Sequence, residues 1–113
     1  MLNSIIIDIH ITPAVIKRGT PRDGCDCPVA IAVIEALRAR GYNPSMIEVD
    51  SAAFAVYMLG ELYEAKPTNY QNEVINGFMN EFDEEEGKYK VMPFSIRNLK
   101  IERYVAEYDG YEE

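Results

Sequence analysis

The chain is poor in the residues that build metal and redox sites. It has one histidine, His10, and two cysteines, which stand one residue apart in Gly24-Cys25-Asp26-Cys27-Pro28. A structural zinc site uses four ligands, mostly cysteine and histidine, and these three residues fall short unless an oligomer shares the site. A disulfide between the two cysteines would close a small, strained ring, so we expect free thiols. We therefore expect no metal and no other cofactor.

Long apolar runs are also missing. No segment approaches the roughly 20 apolar residues that cross a bilayer, and the N-terminus lacks the basic flank and apolar stretch of a secretion signal. We therefore expect a cytoplasmic protein with no membrane partner. The 113 residues, 48% of them hydrophobic, are enough for one domain with one core. We expect this domain over residues 1–103, followed by an acidic, tyrosine-rich tail over residues 104–113.

Basic residues are the minority in this chain. The 11 lysines and arginines face 19 acidic residues, which gives a formal net charge of −8, and most of the acids lie in the C-terminal half. Such a charge repels phosphate backbones, so we do not expect direct binding of nucleic acid. It favours a basic protein partner, although acidic residues also keep a small domain soluble without any partner.

The first segment has isoleucine at every second position, at Ile5, Ile7, Ile9 and Ile11, and its other face is more polar. This period of two predicts a β-strand over residues 4–12 with one buried face. Asp8 and His10 share the polar face and are a candidate acid–base pair. We favour an ordinary exposed strand histidine, because no nucleophile is placed beside it.

Two main helices are indicated. Pro13 favours a short helical turn over residues 14–17, and a loop with several glycines and prolines follows. Pro28 then fits the first turn of a helix over residues 28–40, with Asp26 or Cys27 as its cap. The second helix begins after Thr68 or Asn69 and carries an apolar stripe with a spacing of three and four residues. That stripe consists of Tyr70, Val74, Ile75, Phe78, Met79 and Phe82.

The remaining apolar segments predict further strands. Residues 45–50, 53–59 and 62–66 indicate strands with a turn at Gly60-Glu61, although residues 52–59 also suit a helix. A last strand is predicted over residues 91–101, with a bulge around Arg97-Asn98 where the alternation changes phase. We therefore predict an α+β fold, a mainly antiparallel sheet of about four to five strands with two principal helices packed on one face. The strand order does not follow from the sequence.

The segment before the first main helix offers two candidate sites. Lys17, Arg18 and Arg22 precede a helix N-terminus and are candidates for binding an anion such as a nucleotide phosphate, although no P-loop pattern is present. Cys25 and Cys27 are candidate reactive thiols, because a helix dipole stabilises a thiolate. The simpler interpretation is structural, with Cys27 in the core, the preceding aspartate as a cap and a glycine turn.

Acidic and tyrosine-rich segments are the candidate protein-binding surface. An acidic run follows the second helix, and the tail combines carboxylates with tyrosines, which supply rigid contact area. A solvated charge run and a frayed terminus are the simpler interpretations. The candidate residues are Glu81, Asp83, Glu84, Glu85, Glu86, Tyr104, Tyr108 and Tyr111.

Several short motifs occur in a fixed order along the chain. They are Ile16-Lys17-Arg18-Gly19, Cys25-Asp26-Cys27-Pro28-Val29-Ala30-Ile31-Ala32, Phe82-Asp83, Gly87, Val91, Pro93-Phe94 and Ile96. This set resembles a loose group of small uncharacterised phage and bacterial proteins with a C-x-x-C-P-x-A-x-A segment and a later F-D-x-G followed by P-F. The chain departs from that pattern by its C-x-C spacing and by extra acids after Asp83. The resemblance implies a phage-related context and transfers no activity or functional residue.

Three functions follow, in order of preference. The first is a small, non-enzymatic, acidic interaction protein that binds and occludes a basic surface of a host or defence protein. The second is a protein that binds or sequesters a nucleotide-like anion through the basic loop and helix N-terminus. The third is a cysteine-dependent redox or metal protein. Strand edges and the tyrosine tail also make a homodimer conceivable.

Overall fold

The computed structural model describes residues 3–50, 53–84 and 87–105. In these ranges the chain forms five strands and three α-helices, and a short 3-10 helix at Gly87–Tyr89 precedes the last strand. The elements are β1 Ser4–Ile11, α1 Pro13–Arg18, α2 Pro28–Ala39, β2 Met46–Asp50, β3 Ala53–Met58, β4 Glu61–Lys66, α3 Asn69–Phe82 and β5 Phe94–Arg103. No helix in the described ranges is long and apolar enough to cross a membrane.

The five strands form one sheet in the order β1-β5-β4-β3-β2. All four neighbouring pairs are antiparallel. β2, β3 and β4 follow one another as hairpins, so the strand prediction for the middle region is correct and the helical alternative is wrong. The predicted α+β fold with an antiparallel sheet is confirmed.

One face of the sheet is buried against the helices. In β1 the four isoleucines at alternate positions are buried and the residues between them are exposed. α2 packs on β1 and β2, and the apolar stripe of α3 reaches β5, where the rings of Phe78 and Phe94 lie 5.0 Å apart. No element in the described ranges covers the other face, which we call the open face.

Both principal helices begin at a defined cap. Thr68 Oγ1 accepts a hydrogen bond from the Gln71 N–H at 3.1 Å, and Gln71 Oε1 accepts one from the Thr68 N–H at 2.9 Å, which completes a capping box. In α2 the cap is Cys27, whose Sγ accepts from the Ala30 N–H at 3.5 Å. Of the two predicted caps for this helix, Cys27 is therefore correct and Asp26 is not.

The predicted bulge lies in β5. Ile7 pairs with Leu99 while Ile9 pairs with Ile96, so β5 carries one extra residue between these pairs. Asn98 takes a φ of 57° there, and its N–H donates to Asp8 Oδ1 at 2.8 Å.

The neighbours of the bulge fix its position. Gln71 Nε2, on α3, donates to the Arg97 carbonyl at 2.8 Å. The Asp8 carboxylate accepts its hydrogen bond from Asn98 in the bulge, while His10 Nδ1 lies 2.9 Å from Ser95 Oγ. The candidate acid–base pair of Asp8 and His10 therefore takes part in two separate structural contacts.

On each edge strand of the sheet, one backbone group is hydrogen-bonded to a residue outside the sheet. On β1, Arg40 Nη2 donates to the Ile6 carbonyl at 2.6 Å. On β2, the Val49 N–H donates to the Gly24 carbonyl at 2.9 Å, and a Cβ at Gly24 would lie 2.6 Å from the Val49 oxygen. Occupied edge groups hinder the addition of another strand.

Candidate protein-interaction surface

Four apolar side chains form a row across the open face, at one end of the sheet. Met46 pairs with Tyr57, Tyr57 pairs with Leu62, and the Tyr104 N–H donates to the Leu62 carbonyl at 2.8 Å. These residues, on β2, β3, β4 and just after β5, are named the apolar row. Met46, Tyr57 and Tyr104 are 53%, 46% and 47% exposed. A connected apolar patch on the surface is a sign of a binding site, whereas single exposed apolar residues are ordinary.

A row of carboxylates lies next to the apolar row. Glu48 pairs with Ala55, Ala55 with Glu64, and Glu64 with Glu102, so three carboxylates face the same side. Cross-strand partners share a face because side chains alternate along each strand. We name Glu48, Glu64 and Glu102 the acidic row.

Two lysines partly neutralise the acidic row. Lys66 Nζ lies 3.6 Å from Glu64, and Lys100 Nζ lies 2.8 Å from Glu102. The hydrogen bond and the positive charge from Lys100 lower the pKa of Glu102. On β2 the exposed Glu48 and Asp50 lie outside the three ion pairs found in the described ranges. The β2 side of the open face therefore carries net negative charge beside Met46.

The predicted acidic surface lies elsewhere. Glu81 and Glu84 are exposed at the end of α3, on the helix side of the sheet, and Asp83 accepts hydrogen bonds from Arg22. Glu85 and Glu86 lie outside the described residues, as do Tyr108 and Tyr111. Tyr104 is thus the predicted protein-binding residue that the structure places on the open face.

Carboxylates bind two of the three residues predicted to form an anion site, which are Lys17, Arg18 and Arg22. The Arg18 guanidinium lies 2.6 Å from Glu35 on α2, and the Arg22 N–H donates to Asp83 Oδ1 at 2.9 Å. The first residues of α2 are buried in the core, so its N-terminal N–H groups do not open onto solvent. Lys17 is exposed and lies beside a different groove, and the three cations do not converge on one site.

The two thiols lie in opposite environments. Cys27 is fully buried as the cap of α2, and this burial raises the pKa of its thiol above the ordinary value, assisted by the charge of Asp83. Cys25 is exposed, and its N–H donates to Asp23 Oδ1 at 3.0 Å. Within the described residues no three histidine, cysteine or acidic side chains gather into a metal site. Cys27 therefore packs in the core and caps the N-terminus of α2.

Sequence reasoning missed Met46, Tyr57, Leu62 and Glu48 as surface candidates. Each looks like an ordinary strand residue, and the patch exists only once the strands are placed in register. Comparisons with protein-family models, with curated proteins and with solved structures found no match to this chain.

Proposed function

We propose that this chain is a non-enzymatic interaction protein whose open sheet face binds a basic surface of another protein. The observation that carries the proposal is the apolar row, which extends over β2, β3 and β4 to the residue after β5 on the solvent side of the sheet. Tyrosine and methionine are enriched in the centres of protein interfaces, and polar residues form their rims. The apolar row supplies such tyrosine and methionine side chains, and the acidic row borders it on one side.

The size of the open face suits a protein partner. Five strands spaced about 4.8 Å apart give a width of roughly 24 Å, and strands of this length reach roughly 17 to 33 Å. The resulting area is of the same order as the roughly 800 Å² that each partner contributes to a standard interface.

Charge selects a basic partner. The chain has a formal net charge of −8. Glu48 adds an unneutralised carboxylate next to the apolar row, and Asp50 adds a second one at the other end of β2. Two copies of such a chain repel each other, so a different protein suits the face better than a second copy. In the phage-related context that the resemblance implies, this partner is a host or defence protein in the cytoplasm, which the chain inactivates by occlusion.

The test compares two tyrosine variants in an affinity pull-down. Tagged wild-type protein, Tyr57→Ser and Tyr70→Ser are incubated with bacterial lysate, with nuclease, at low and moderate salt. Tyr70 is a matched control because it is 73% exposed but lies on α3. We expect one partner that wild type and Tyr70→Ser retain and Tyr57→Ser loses, with weaker retention at higher salt. Equal retention by all three proteins, or no specific partner, would contradict the proposal.

Charge variants show which acidic residues contribute to the affinity for the partner. Glu48→Gln with Asp50→Asn removes two charges from the open face, and Glu81→Gln with Glu84→Gln removes two from the end of α3. We expect the first pair to lower the affinity for the partner and its salt dependence, and the second pair to leave both nearly unchanged. The reverse result would move the binding surface to the end of α3. If light scattering shows a dimer and Tyr57→Ser dissociates it, the open face binds a second copy of the chain instead of another protein.

A further inference from the structure

A groove lies on the helix side of the molecule, between α1 and the segment that leads into β5. Pro13, Ile16, Val91 and Pro93 provide apolar walls, and Lys17 and Lys88 provide two ammonium groups. The cavity measures about 530 Å³, within the range of roughly 300 to 1,000 Å³ for small-molecule pockets. It shares no residue with the apolar row or the acidic row.

Lys88 contacts the backbone of Lys17. Its Nζ donates a hydrogen bond to the Lys17 carbonyl at 3.0 Å, which places the Lys88 ammonium at the last turn of α1. Neither lysine belongs to the ion pairs found in the described ranges, in contrast to Arg18, Lys66 and Lys100. Both positive charges therefore favour an anion in the groove that the two residues line.

We propose that this groove binds a small amphipathic anion such as a medium-chain carboxylate, with its head on Lys17 and Lys88 and its apolar body against the groove walls. Lysine ammonium groups alone would attract any anion, but apolar walls favour a ligand with a hydrocarbon part.

The test is a titration of the full-length, ¹⁵N-labelled protein with sodium octanoate, followed by amide chemical shifts. We expect saturable shifts at Ile16, Lys17, Lys88 and Val91. Sodium acetate lacks the apolar body and 1-octanol lacks the charge, so each should bind at least fivefold more weakly. Absent or non-saturating shifts, equal binding of 1-octanol, or shifts confined to the open face would overturn the proposal.

Two double variants test the role of the lysines. Lys17→Gln with Lys88→Gln should weaken octanoate binding at least tenfold, while Lys66→Gln with Lys100→Gln removes the same charge elsewhere and should not. If the first double variant fails to fold, Lys17→Gln alone removes an exposed charge and keeps the Lys88 bond to the backbone. Unchanged octanoate affinity in the folded lysine variant would refute the site. Tyr57→Ser should bind octanoate normally, so failure of this site and failure of the protein-binding face are separable.

Discussion

The Arg22 N–H donates a 2.9 Å hydrogen bond to Asp83 Oδ1, and the Arg22 guanidinium donates to the Asp83 carbonyl. These bonds join the loop before α2 to the C-terminal end of α3. Arg22 takes a φ of 61°, a conformation that costs a side-chain-bearing residue free energy unless contacts hold it. The sequence suggested Arg22 for anion binding and Asp83 for protein binding. In the structure the two residues bind each other.

Loss of this contact should lower stability. Asp83→Ala removes the carboxylate that accepts from Arg22, and we expect the free energy of unfolding to fall by about 0.5 to 1.5 kcal/mol. Chemical denaturation measures this change. Asp83→Asn keeps an oxygen acceptor and removes a negative charge from a helix C-terminus, so it should lose less. Glu84→Ala, an exposed neighbour, should change stability little; a loss as large as that of Asp83→Ala would contradict this assignment.

Gln71 joins α3 to the bulge of β5. Its amide nitrogen donates to the Arg97 carbonyl, its amide oxygen accepts from the Thr68 N–H, and its side chain is buried. We expect Gln71→Leu to lower the free energy of unfolding by about 1 to 3 kcal/mol, because the part-buried Thr68 N–H and Arg97 carbonyl both lose their hydrogen-bond partner. Thermal and chemical denaturation measure the loss. Glu73→Leu, on the exposed face of the same helix, is the control, and equal losses would show that helix propensity rather than the bulge contact is responsible.

Local sequence patterns predicted most of the secondary structure. The alternation in β1, the apolar stripe of α3 and the change of phase at Arg97-Asn98 each arise from neighbours within a few residues. The last strand nevertheless begins at Phe94 rather than residue 91 and continues to Arg103. Its C-terminal end is extended by pairing with β4 and by the Arg103 N–H bond to the Asn3 carbonyl, which the strand's own sequence does not reveal.

The apolar row could not be predicted from the sequence, because it depends on the order of the strands in the sheet. Leu62 and Tyr104 become neighbours because β5 inserts between β1 and β4, and an alternation pattern carries no information on strand order. The acidic run was visible, but its charges did not reveal that Asp83 bonds to Arg22. The open face follows only from the strand register.

Two glycines should respond in opposite ways to alanine. A Cβ at Gly77 meets nothing within 4 Å, so Gly77→Ala should raise the free energy of unfolding by about 0.5 to 1 kcal/mol through better helix propensity. A Cβ at Gly24 would lie 2.6 Å from the Val49 carbonyl oxygen, so Gly24→Ala should push the loop off the β2 edge. Denaturation of both variants gives the two signs, and a stabilised Gly24→Ala would show that the loop is not packed as described.

The two thiols should differ sharply in reactivity. Cys25 is exposed, whereas burial excludes reagent from Cys27 and raises the pKa of its thiol, which reduces its thiolate fraction at neutral pH. We expect iodoacetamide at neutral pH to modify Cys25 rapidly and Cys27 only after denaturation. Peptide mass spectrometry over time measures both rates. Comparable rates in the folded protein would contradict the buried position of Cys27.

The raised pKa of Cys27 also predicts a pH dependence of stability. Its contribution is complete at low pH and is lost as the pH rises above about 8.5, because the thiol ionises first in the unfolded chain. The free energy of unfolding of Cys25→Ser should therefore fall between pH 8 and about 10 as it does in wild type. Cys27→Ser should show a smaller fall, since it lacks the buried ionisable group, and parallel pH profiles for both variants would rule out this linkage.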